Sequence, residues 1–187
     1  MTSYLFRQLS DYVEYHRDSR NCALHVVGIV SLFLGAVLPL SAWAVAPFGI
    51  QTSAATIAVL PVLFYWFLLD AALGTAIVGA AVVLLSAAAI IVTHATPAGR
   101  WSISAALIIV GIASQIVGHQ VFERRQPALM DNPTHLLLGP IFVMAKLFIT
   151  LGFRRDLAVV LRQAPQTTPH SSLLYAEQPQ AEPRPRV

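Results

Sequence analysis

Several stretches of this chain are apolar for long enough to cross a lipid bilayer, and that constrains its fold more than any motif. A hydrocarbon core about 30 Å thick takes about 20 apolar residues of helix, and every backbone polar group inside it must be bonded within its own segment. Ala23 to Val45, the shorter Ala54 to Leu69, Ala71 to Thr93 and Ser102 to Phe122 meet that demand. Leu136 to Gly152 is a fifth apolar segment, but Pro140 and Lys146 interrupt it, so a re-entrant or surface-lying course is expected there. With 56% hydrophobic and 11% charged residues, the chain has too few charges to cover a water-soluble globule. The expected fold class is all-α, an integral membrane helical bundle of about four spanning helices.

The segments between and before the runs complete the outline. Tyr4 to His16 places Leu5, Leu9, Tyr12, Val13 and Tyr15 among charges in an amphipathic helical pattern, expected to lie along the membrane interface. Residues 1–22 lack the apolar core of a secretory signal, so the N-terminus is expected to be retained. Asp18 to Asn21 is a turn cluster, with Asn21 a candidate cap for the first span. Ala46-Pro47-Phe48-Gly49 and Thr96-Pro97-Ala98-Gly99 are chain breaks, and Asp70 is a turn residue. Trp43, Trp66 and Trp101 lie near span ends, as interface residues do. Gly74, Gly79, Ala80 and Ala81 suggest close helix packing. Residues 1–162 form one membrane-embedded domain, and the Pro- and Gln-rich 163–187 is expected to be a disordered tail.

Basic residues set the orientation. Arg7, Arg17, Arg20, Arg124, Arg125, Arg154, Arg155 and Arg162 fall on one side of a four-span bundle, which is then cytoplasmic, while the Pro47 and Pro97 loops hold only Arg100. The alanine-rich composition and short loops suggest a bacterial inner membrane. No basic-aromatic patch argues for nucleic acid. The one cysteine, Cys22, excludes an intramolecular disulfide.

This topology sorts the six histidines. His16, His25, His119 and His135 fall near the cytoplasmic interface, His94 at the opposite face and His170 in the tail. Coordinating side chains at membrane depth are costly unless paired, and neutral imidazoles suit iron, zinc or copper. The turn at Asp18 to Asn21 lets His16 and His25 face one site although they are nine residues apart. His119 and Glu123 share an α-helical face at i and i+4, with Glu123 either a ligand or the acceptor of a proton from a ligand histidine. The plainer alternative for each histidine is an interfacial hydrogen-bonder. Arg124 and Arg125 are either topology anchors and partners for lipid phosphates, or one of them meets the carboxylate of an amphiphilic substrate.

Tyr15 to His25 has the form YHxxxxNxxxH, and Gln115 to Leu129 the form QxxGHxxFExxxPAL, followed by Asp131-Asn132 and Leu138-Gly139-Pro140-Ile141-Phe142. Over roughly residues 12 to 153 this resembles the membrane family of iron(II)-dependent 2-hydroxy fatty acid dioxygenases, which remove one carbon in fatty-acid α-oxidation during degradation of phytosphingosine-derived acids. The resemblance implies Fe(II) held by His16, His25 and His119, with His135 an optional fourth ligand. Asn21 and Glu123 match the family's other polar positions and are taken as catalytic, and Lys146 stands where relatives often have glutamate. A 2-hydroxy fatty acid and O₂ are the implied reactants. The competing class is a non-catalytic membrane scaffold or small transporter, but transport calls for polar residues at mid-span, and almost none are present. Desaturase-type histidine clusters and the GxSxG elbow are absent from the sequence as well.

Overall fold

The computed structural model describes residues 2–124, 133–154 and 156–158. Among the described residues the main α-helices are, in order, α1 (Ser3–Glu14), α2 (Ser19–Ser41), α3 (Ala54–Leu69), α4 (Ala71–His94), α5 (Pro97–Val117) and α6 (Leu138–Thr150). A π-helical turn, Gly118–Glu123, continues α5, and a short 3₁₀ turn, Pro133–Leu137, leads into α6. The all-α expectation holds. Among the described residues the only strands form a two-residue antiparallel ribbon, Ala44–Val45 with Thr52–Ser53, registered Ala44 to Ser53 and Val45 to Thr52, around the Pro47–Gly49 reversal.

Among the described residues, three helices are long and apolar enough to cross a membrane: Ser19–Ser41, Ala71–His94 and Pro97–Glu123. At 16 residues α3 is shorter, about 24 Å by helix rise, and pairs with α4 through the turn at Asp70. Phe64, Val83 and Ile109 project from mid-helix with more than 60% exposure, as side chains do where the surrounding solvent is lipid. Core packing is therefore confined to narrow seams. Along the α2–α5 seam a Cβ on Gly28 would meet Gln115 at 2.6 Å, one on Gly35 would meet Ile108 at 2.9 Å, and one on Gly111 would press on Leu32. Ser104 Oγ–H donates to Gly35 O at 2.6 Å across the same seam. Of the expected small-residue packing run, Gly74 does lie against the Phe67 backbone and Ala81 is buried, whereas Gly79 has nothing near it.

Several expectations change. The cap of α2 is Asp18, whose Oδ1 accepts from Arg20 N–H at 2.7 Å; Asn21 lies inside the helix, fully buried. A carboxylate next to the first free N–H groups outcompetes an amide one turn further in. Trp66 is no interface residue: it is 7% exposed, and its Nε1–H donates to Leu137 O at 2.7 Å. Trp43 and Trp101 are both 62% exposed, as interface anchors should be. Asp70 is more than a turn residue, since it caps α4 and forms a paired-oxygen ion pair with Arg154 at 2.9 and 3.0 Å.

These contacts decide how the fifth apolar segment runs. Leu137, before α6, is tied to Trp66, and Arg154, after it, is tied to Asp70. Both anchor points lie toward the α3–α4 turn, so α6 folds across that end of the bundle. The amphipathic α1 covers the same end, burying Leu5, Leu9, Tyr12 and Val13 in the core shared with α3, α4 and α6.

Candidate metal centre

The histidines are positioned by three separate devices. The backbone leaves α1 at Tyr15 and re-enters helix at Ser19, which carries His16 back over the start of α2. His25 lies on the second turn of α2, facing inward. His119 sits in the π turn, where the i→i+5 pattern widens the helix, a form common at functional sites. All three are at most 5% exposed, and one ring nitrogen from each lies within 4.8 Å of the others.

Hydrogen bonds fix the chemistry of His16. Its Nδ1 is 2.9 Å from Tyr12 O, and a carbonyl only accepts, so Nδ1 carries the proton and Nε2 presents a lone pair. That Nε2 is 3.0 Å from His25 Nε2. Two nitrogens each about 2.1 Å from one cation stand about 3.0 to 3.4 Å apart, so the spacing fits shared ligation. Burial, then the neighbouring His25, pushes the His16 pKa down from 6.5 to about 2, so the ring stays neutral, the form that ligates. Tyr12 stacks on it at 4.1 Å and 12°, and burial raises the Tyr12 phenol well above its ordinary range.

Two buried nitrogens, His25 Nδ1 and His119 Nδ1, have no protein hydrogen-bond partner. On His25 this is the ring nitrogen other than the Nε2 that faces His16, so no protein bond fixes its tautomer and either nitrogen is free to present a lone pair. Three neutral imidazoles suit iron, zinc and copper alike, so the donor set is compatible with a metal and does not select one.

The other expected residues fall around this core. Glu123 Oε1 accepts from Asp18 N–H at 2.7 Å and from Asn21 Nδ2 at 3.2 Å, and Asn21 Nδ2 also reaches Tyr15 O at 3.2 Å. Glu123 thus clamps the His16 turn to the end of α5. Its carboxylate is outside the group of three close ligand atoms and is held instead by the Asp18 and Asn21 donors. His135 is buried edge-on to Tyr12 and Tyr15, with ring centres at 5.5 and 6.0 Å, and is also outside that group. Arg124 is exposed and takes a left-handed backbone (φ 52°) where the π turn ends; Arg125, the Pro127 to Asn132 part of the second motif, Arg155, Arg162 and His170 lie outside the described residues. His94 is exposed at the far end of α4, as topology required.

Lys146 is the residue whose placement the sequence concealed. Its Nζ donates to Cys22 Sγ at 2.7 Å and lies 4.8 Å over the Phe142 ring, itself 5.3 Å from His16. A lysine within an apolar run was the available signal, since such a charge needs a partner.

Over residues 2–151 the chain matches the Mpo1-like family, described as 2-hydroxy-palmitic acid dioxygenase Mpo1-like. It is 32% identical over 155 residues to 2-hydroxy-palmitic acid dioxygenase MPO1 of Saccharomyces cerevisiae, an alignment covering 82% of this chain and 85% of the relative. No solved structure matches it.

Proposed function

The chain belongs to the Mpo1-like family, and from that premise we propose that it is an iron(II)-dependent 2-hydroxy fatty acid dioxygenase of α-oxidation. The observation that carries the reading is the convergence of His16, His25 and His119 within 4.8 Å at one end of an apolar bundle. These three would hold Fe(II), which when bound supplies the redox chemistry with O₂ that breaks the C1–C2 bond and leaves an acid one carbon shorter.

The protein's own part is positional. The His16 Nδ1–H bond to Tyr12 O keeps the Nε2 lone pair aimed at the centre, and burial keeps that ring neutral. Glu123 and Asn21 hold the His16 turn against the π turn that bears His119, so two elements more than 100 residues apart keep their imidazoles in one place. A centre at the bundle end suits an amphiphile, whose polar head meets the histidines while its tail stays among helices or lipid. Arg7, Arg17, Arg20 and Arg124 belong to elements at this end, so we orient it toward the cytoplasm. A bacterial inner membrane is our reading of the host.

Elemental analysis of detergent-purified protein after anaerobic iron(II) reconstitution tests this. About one iron per chain is expected, lost in His119→Ala, together with conversion of 2-hydroxypalmitate to the acid one carbon shorter. Metal-free protein after reconstitution, or full turnover by His119→Ala, would overturn the reading and favour a non-catalytic membrane scaffold.

A further inference from the structure

A crevice with an enclosed volume of about 90 Å³, open along one side, lies between α2, α4 and α6. Its walls are apolar side chains, among them Val26, Ile29 and Phe33 of α2, Ala80 of α4, and Val143 and Met144 of α6. Val26 and Val30 on its rim are each 41% exposed, so the crevice opens to the surrounding lipid.

Helix α2 joins this crevice to the histidine end. Cys22, Val26, Ile29 and Phe33 follow one another at i+4 and i+3 spacings and so form one stripe along the helix. His25 lies one turn before Ile29. At the head of the stripe Cys22 Sγ is bonded to Lys146 Nζ, and through Phe142 that ammonium is two ring contacts from His16. The Cys22–Lys146 contact thus lies one helical turn before Val26, where the apolar lining of the crevice begins on α2. From Cys22 to Phe33 the stripe is about 16 Å long, and the part that lines the crevice, Val26 to Phe33, is about 10 Å.

We propose that this crevice is the acyl subsite for a long-chain carboxylate: Lys146 binds the carboxylate, the α2 stripe carries the tail, and Ala80, a methyl between the bulkier Ile77 and Leu84 on the same wall, sets how long a tail fits. The identity of the carboxylate as the substrate rests on the function proposed above; its binding does not require turnover. Lysine suits this role because the ammonium is a compact charge on a flexible stem, able to leave a thiol for a carboxylate. Carboxylate and ammonium form a charge-assisted bond that a neutral ester cannot reproduce.

Trp66 lines the crevice and is itself the reporter. The chain has three tryptophans, and Trp43→Phe with Trp101→Phe leaves Trp66 as its sole indole. Metal-free protein of this background in lipid nanodiscs is titrated with 9,10-dibromostearate, whose bromines quench a nearby indole. Saturable quenching is expected, weakened about 10- to 100-fold by Lys146→Met and largely retained by Lys146→Arg. The methyl ester of the probe should bind the parent no better than the acid binds Lys146→Met. Ala80→Phe should shift preference from the 18-carbon probe to a brominated 12-carbon acid, with helicity by circular dichroism and iron uptake unchanged. Absent or non-saturable quenching, or equal binding of acid and ester to the parent, would overturn the proposal, and the ester comparison decides even if Lys146→Met fails to fold. Saturable acid binding without turnover would remove the dioxygenase reading and leave the subsite; turnover without it would do the reverse.

Discussion

Gly118 is where packing at the candidate centre can be tested by a single methyl group. Its backbone is right-handed helical (φ −53°, ψ −53°), so alanine suits the conformation, and on propensity alone Gly→Ala would stabilise by about 0.5 to 1 kcal/mol. Space decides otherwise. A Cβ there would collide with Asn21 Oδ1 and come within 3.3 Å of Asn21 Cγ. Asn21 is not a flexible tip that can swing away, because it is fully buried with Nδ2 bonded to both Tyr15 O and Glu123 Oε1. Overpacking of this kind costs about 1 to 3 kcal/mol, and a clash with a fixed, buried partner belongs at the upper end, so the net expectation for Gly118→Ala is about 2 kcal/mol of destabilisation and weaker iron binding as His119 moves. Asn21→Ala alone removes two hydrogen bonds at about 0.5 to 1.5 kcal/mol each. The double variant relieves the collision and should cost less than the sum of the two singles by about 1 kcal/mol. Denaturant unfolding in detergent with iron content read alongside completes the cycle. A Gly118→Ala protein as stable and as iron-avid as the parent, or strict additivity in the cycle, would refute the account.

Two further outcomes depend on pH. The folded His16 pKa lies near 2 against 6.5 unfolded, so below pH 6.5 the unfolded chain takes up a proton that the folded site refuses. The His16 share of the stability of the metal-free protein should therefore fall by up to about 1.4 kcal/mol per pH unit below that point, and His16→Phe should make the acid limb shallower by that share in a pH series of unfolding curves. Asp70 runs on a different term: burial would raise its carboxyl, but the Arg154 hydrogen bonds win and hold it below the usual carboxylate range. Its contribution is present above the unfolded carboxylate pKa and is lost as pH falls through the folded one, and Arg154→Met should weaken this acid limb, leaving the part due to the Leu73 N–H bond, while destabilising by about 1 to 3 kcal/mol at pH 7, discounted for the partly exposed guanidinium. If Arg154→Met leaves stability unchanged, the pair does not anchor α6.

The residues legible in the sequence were those whose signal is local or topological. His16, His25 and His119 could be brought to one end by counting spans, and the turn between the first two was written in Asp18 to Asn21. The π turn itself was not legible, because nothing in Gly118 to Glu123 announces that the helix widens there. Trp66 misled because an indole near a span end has the same sequence signature whether it faces headgroups or, as here, donates to a carbonyl 71 positions away. The glycines of the α2–α5 seam were hidden for a related reason. Gly28, Gly35 and Gly111 mean little singly, and their role appears only when the partner helix is known.

What was hidden is also what closes the site. The Glu123 clamp joins the α1–α2 turn to the end of α5, and the Arg154 and Trp66 anchors hold α6 across the same end. Neither depends on an imidazole contact. Such cross-links raise the local concentration of the three histidines before any cation arrives, so ordering the His16 turn is not left to metal binding alone. Removing Glu123 should then weaken iron binding more than it weakens the fold, because α2 and α5 remain joined along their seam by Ser104 and the close approach at Gly28, Gly35 and Gly111. Glu123→Gln keeps an oxygen for the Asp18 N–H and tests the point most cleanly: iron affinity near the parent's is expected there, with Glu123→Ala losing about tenfold or more while its unfolding midpoint moves little.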